Sequence, residues 1–210
     1  MPKINIDSWL PYFRDRLDKS FSLVSDASNY VELRGTQHRN LKQERIYQIN
    51  ELAFLDMYLS WEDYLENTFV RFMCGAKTKN CYSPKLFVCP PTLEHALKYF
   101  MTPKGYVEWT SAQAVSERAE LVFKDGEPYS SAFRPVINIL NQMRIIRNAI
   151  AHRSGKALSD FEDLVTDEIG YKPKGIRPGG FLFKTERTSN TKYIQFYKDI
   201  LEITAKNIVR

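Results

Sequence analysis

At 210 residues, 43% hydrophobic and 13% aromatic, the chain has enough apolar material for one compact domain with a substantial core, which argues against a disordered polypeptide. Its 30 Lys and Arg against 25 Asp and Glu leave a formal charge of +5, compatible with a polyanionic partner without identifying one. No apolar run reaches the ~18–20 residues of a membrane span, and Cys74, Cys81 and Cys89 lack the spacing and histidine help of a zinc site.

The segment Met1 to Asp7 has no signal-peptide core, so a soluble cytoplasmic protein is expected, with structural thiols and neither metal nor cofactor. The first apolar series, Trp9, Leu10, Phe13, Leu17, Phe21 and Val24, has three-and-four spacing and predicts an amphipathic helix capped by Asp7 or Ser8. Gly35 breaks it, leaving residues 1–35 as an N-terminal extension. A long helix is expected from Leu41 to Met73, with no Pro or Gly until Gly75. Trp61, Tyr64 and Thr68 lie near one of its faces, and the two aromatics read as core or dimer contacts rather than base-stacking platforms.

Residues 74–91 read as an irregular excursion punctuated by Gly75, Asn80, Pro84, Pro90 and Pro91. Thr92 is placed to cap a short helix ending at Met101, with Pro103 and Gly105 behind it. Another short helix is expected from Ser111 to Phe123. The next begins at Ser130 or Ser131, tolerates Pro135 in its first turn and runs to His152, where Ser154-Gly155 supplies a stop. Leu158 to Ile169 predicts a further helix. The Gly- and Pro-rich loop 170–182 carries Lys172, Lys174 and Arg177, which could cover a cleft. Phe181-Leu182-Phe183 reads as a short strand or a packed return, and Tyr193 to Ile208 as the last amphipathic helix, within 191–210. The expected architecture is a single all-α domain over residues 1–210, a helical bundle with two long helices and several shorter packing helices.

The segment that carries chemistry is Arg147-Asn148-Ala149-Ile150-Ala151-His152. RNA holds an internal nucleophile, the 2′-OH beside each phosphate. A histidine can take that proton or protonate the leaving 5′-oxygen, and an arginine can bridge phosphate oxygens and offset transition-state charge. An asparagine can orient either partner through its amide. At about 100° per residue, five steps turn Arg147 and His152 about 140° apart, so they do not share a face of an ideal helix. Either the helix ends or tightens between them, or two copies of the motif meet across a dimer.

The string Arg-Ile-Ile-Arg-Asn-Ala-Ile-Ala-His-Arg-Ser, residues 144–154, resembles the Arg-x4–6-His motif of the HEPN superfamily, at its shortest spacing. The helix around Trp61-Glu62-Asp63-Tyr64-Leu65-Glu66-Asn67-Thr68-Phe69 and the tail Gly175 to Leu182 are similar to stand-alone HEPN families of the RiboL-PSP type. The resemblance implies a dimeric helical bundle in which two motifs share a cleft. It implies a metal-independent endoribonuclease that leaves a 2′,3′-cyclic phosphate, acting as a toxin or anti-phage defence effector beside an antitoxin or defence-system partner. Some members have lost activity and bind RNA or a partner protein instead. By position, Arg147 would neutralise the scissile phosphate, His152 would be general acid or base, and Asn148 would orient one of them. Arg144, Arg153 and Lys156 are placed to hold flanking phosphates.

Overall fold

The computed structural model describes residues 5–32, 39–101, 107–152, 154–171 and 173–210. Gly35, Pro103, Gly105, Arg153 and Lys172 lie outside the described residues. Among the described residues the fold is all-α, with no strand and only two isolated bridges, Leu86 to Phe123 and Thr185 to Lys192. The helices are α1 (Trp9–Glu32), α2 (Arg39–Met73), α3 (Leu93–Tyr99), α4 (Ala112–Val122), α5 (Tyr129–Phe133), α6 (Ile137–His152), α7 (Gly155–Ile169), α8 (Pro178–Leu182) and α9 (Tyr193–Ile208). None is long and apolar enough to cross a membrane.

Local chemistry explains most boundaries. Thr92 and Ser111 cap α3 and α4, their hydroxyls accepting from the N–H groups of His95 and Ala114. Asp7 does not use its carboxylate this way. It accepts the backbone N–H of Lys79 at 2.8 Å, while the Ser8 carbonyl accepts from Tyr12. Pro135 sits in a tight 3-10 turn, Arg134–Val136, between α5 and α6. Its missing N–H and fixed φ favour that tightening over an uninterrupted α-helix from Ser130. Phe181 and Leu182 belong to the short helix α8, not to a strand.

Contacts gather into two compact units, each described in turn. The first comprises Met1–Arg14, Ser60–Asn141 and Leu201–Arg210. Its centre is aromatic: Phe69 meets Trp109, Phe123 and Tyr129 at ring separations of 5.3, 5.0 and 5.0 Å. Trp61 and Tyr64 are buried, and Phe13 stacks on Tyr64 at 4.8 Å, which assigns both α2 aromatics to the core. The Tyr64 hydroxyl donates to the Ala205 carbonyl at 2.8 Å, satisfying a polar atom in an apolar interior.

The second unit comprises Asp15–Leu59 and Gln142–Ile200. Here α8 lies directly on α2: a Cβ added at Gly179 would fall 2.0 Å from the Tyr47 carbonyl oxygen. Buried Asn50 and Glu51 hold that approach, the first donating to the Gly179 carbonyl at 3.3 Å and the second accepting the Gly179 N–H at 3.2 Å. Arg177 approaches Glu51 at 3.5 Å, so this loop cation has a structural partner.

Beyond α8 the chain turns around buried Glu186, whose carboxylate accepts from the Thr188 N–H and hydroxyl and the Ser189 N–H. Burial raises its pKa, but those hydrogen bonds outweigh it and bring the carboxyl down to about 2.

Candidate functional site

The α6 sequence divides its surface cleanly. Met143, Ile146, Ala149 and Ile150 are buried, while Arg144, Arg147 and Asn148 are half-buried and His152, its last residue, is exposed. The chain reverses at Ser154, whose backbone is extended and whose hydroxyl accepts the Ala157 N–H at 3.3 Å. Ser154 is therefore more than a stop. It is the N-cap of α7, which starts three residues earlier than the expected Leu158. Ala157, Phe161, Leu164 and Val165 bury the inner face of α7.

Farther along the same helices, a hydrogen-bond cluster pins them. Gln142 on α6 donates to Glu168 on α7 at 2.6 Å, and the Tyr193 hydroxyl on α9 donates to the same carboxylate at 3.0 Å. Burial, followed by that acceptor, pushes the Tyr193 phenol well up, so it remains a donor.

At the end of α6 the three motif side chains meet. Nη1 of Arg147 lies 3.3 Å from Nε2 of His152 and 3.3 Å from Oδ1 of Asn148. The helix neither ends nor breaks between them. The long Arg147 side chain spans the angle that separates their Cα positions, and His152 is met at the final residue of the helix. One chain thus brings together two groups that the ideal-helix angle separates. A guanidinium carries only donors, so in a hydrogen bond between the two groups Nε2 of His152 is the acceptor.

Arg144, Asn148 and His152 follow one another at four-residue spacing and form a stripe along α6. That stripe and the first turns of α7 enclose a cleft of about 330 Å³, lined by Arg144, Ile145, Asn148, His152, Ser154, Lys156, Ala157 and Asp160. Two of the expected phosphate ligands, Arg144 and Lys156, are therefore beside the motif, and Arg153 lies outside the described residues. Lys156 pairs with Asp160 at 3.0 Å. The sequence reading missed Asp160, although its position four residues after Lys156 was a usable signal. Nε of Arg144 is shielded from solvent and has no hydrogen-bond acceptor among the described residues.

Lys174 is exposed and Arg177 is committed to Glu51. A second cleft, about 240 Å³, is walled by Glu168, Ile169, Lys184, Thr185, Arg187 and Tyr193. Its polar groups already serve the fold: Glu168 holds Tyr193 and Gln142, and Arg187 donates to the carbonyl of Ile169. Among the described residues, no three His, Cys, Asp or Glu side chains are grouped to hold a metal ion, and all three cysteines are free thiols. No protein-family model, curated protein or solved structure matches the chain.

Proposed function

We propose that this chain is an endoribonuclease whose chemistry is carried by Arg147 and His152 rather than by a metal. The observation that supports it is the 3.3 Å approach of the Arg147 guanidinium to Nε2 of His152, with Asn148 on the same arginine. A phosphate arriving at Arg147 competes for that guanidinium and releases the imidazole lone pair. His152 then takes the 2′-OH proton, and the 2′-oxygen attacks phosphorus. The P–O5′ bond breaks, leaving a 2′,3′-cyclic phosphate and a 5′-hydroxyl. The leaving oxygen takes its proton from water or, in a dimer, from a second copy. A homodimer, an antitoxin or defence-system partner and a cytoplasmic setting complete the proposal, and resemblance of the motif supports them. The test is cleavage of single-stranded RNA in EDTA, with the cyclic-phosphate end identified by mass spectrometry and His152→Ala as comparison.

One observation favours a second reading, a module that holds RNA or a partner protein without cutting it. Nε2 of His152, the atom a general base would use, is already engaged by Arg147. Salt-dependent RNA binding with no product end would select that reading.

A further inference from the structure

The long helix α2 buries one side in the fold, through residues such as Phe54, Met57 and Trp61. Its other side carries a second apolar series. Leu52 is 66% exposed and Leu59 51% exposed, with half-buried Leu55 between them. Single exposed leucines are ordinary, but neighbours on one helix face make a patch that favours a partner. The series continues as a heptad into charge: Arg45, Leu52, Leu59 and Glu66 recur every seven residues along one unbroken helix. At about 100° per residue, each such step turns by only about 20°, so the four side chains stand in one stripe. Arg45 at one end is exposed, and Glu66 at the other is half-buried. Asp56, near the middle, is paired with Arg16 at 3.2 Å, so its charge is answered within the chain. An apolar centre between a cation and an anion is complementary to itself only in reverse. A second α2 laid antiparallel sets Leu52 against Leu59 and Arg45 against Glu66 at both ends. A parallel one would set Arg45 against Arg45 and Glu66 against Glu66.

We propose that the outer stripe of α2 is an interface for a second copy of this chain, packed with its own α2 antiparallel to the first. Leucines meet at the centre, and Arg45 of each copy meets Glu66 of the other. The stripe shares no residue with the α6 motif, so the inference stands apart from the ribonuclease reading.

The experiment is sedimentation equilibrium of the full chain over a dilution series at low salt, with helical content checked by circular dichroism. The wild type is expected to dimerise. Replacing both leucines, Leu52→Lys with Leu59→Lys, should raise the dimer dissociation constant by roughly 100-fold or more, since each change counts twice in a two-fold interface. Leu121→Lys, at a leucine that is 67% exposed on α4, should leave it unchanged. Arg45→Glu and Glu66→Arg should each weaken the dimer by about 5–10-fold, and the two together should restore it. Those positions are about 32 Å apart along one helix, so restoration can only act between copies. A monomeric wild type overturns the proposal. So does a dimer that survives the double leucine change, which would put the interface on another face. Charge reversals that add rather than compensate overturn the antiparallel arrangement. None of these outcomes depends on RNA cleavage.

Discussion

Arg147 and His152, five residues apart on one helix, meet through Nη1 and Nε2 at 3.3 Å within a single chain. If that pair is the working unit, its two halves act in cis. Arg147→Ala and His152→Ala should each lower RNA cleavage in EDTA by roughly 10²–10⁴-fold with unchanged helical content. Mixing the two variants should not restore activity. Recovery on mixing would show that arginine and histidine are drawn from different copies.

Arg147→Lys tests whether geometry matters beyond charge. Lysine keeps the positive charge but loses the planar fork that meets Asn148 and His152 and can bridge two phosphate oxygens. Cleavage should fall nearly as far as with alanine. Wild-type rates in Arg147→Lys would reduce the arginine to a point charge.

Gly179 is a stability hinge for the second unit. Alanine there meets the backbone of Tyr47 rather than a movable side chain, so Gly179→Ala should cost about 3 kcal/mol in urea unfolding. Gly175 offers the contrast: its φ is +64° with nothing among the described residues within 4 Å of an added Cβ. Gly175→Ala should cost only about 1–2 kcal/mol, from the left-handed backbone alone. Equal losses at the two sites would contradict the close approach.

Ser154→Ala removes the cap of α7 and should destabilise the protein by about 1 kcal/mol, whereas Ser154→Asp should hold or raise stability. Thermal unfolding distinguishes these outcomes. An alanine variant as stable as wild type would place the start of α7 under some other control.

Glu186 links this unit to pH. Its folded pKa, about 2, is below the ordinary 4.5, so the folded state binds its proton less readily than the unfolded state. The resulting stability is fully present above pH ~4.5 and is lost as pH falls through about 2, by roughly 1–2 kcal/mol in total. Glu186→Gln should therefore be less stable than wild type at pH 7, with the gap closing toward pH 2. A gap that is constant across that range would show that the carboxylate charge is not what holds Thr188 and Ser189.

Much of the helical framework was legible because it rests on periodicity and caps. Tyr193–Ile208 matches its expected span, and the long helix begins at Arg39 rather than Leu41. The errors came where one residue type serves two purposes. Ser154-Gly155 reads equally as the end of one helix and the cap of the next. Pro135 marks a helix start in isolation but here sits between two helical segments. Gly179-Gly180 looked like loop material because its purpose, a backbone seat against Tyr47, depends on a partner well over a hundred positions away.

The motif residues were legible from their spacing, but their meeting was not. The ideal-helix angle compares directions at Cα and takes no account of how far an arginine side chain reaches. The Arg144, Asn148 and His152 stripe could be counted from the sequence, yet its conversion into a cleft required the turn at Ser154.

The contact between Arg147 and His152 has one more consequence. While the guanidinium lies at Nε2, it masks that nitrogen from an approaching hydroxyl. On the proposed ribonuclease reading, an incoming phosphate would lift the mask, so that arrival of the substrate and exposure of the base would become a single event. A small anion should be able to imitate the first half of that event. Sulfate added to the wild-type protein, but not to Arg147→Ala, is expected to shift the His152 ring resonances in an NMR titration.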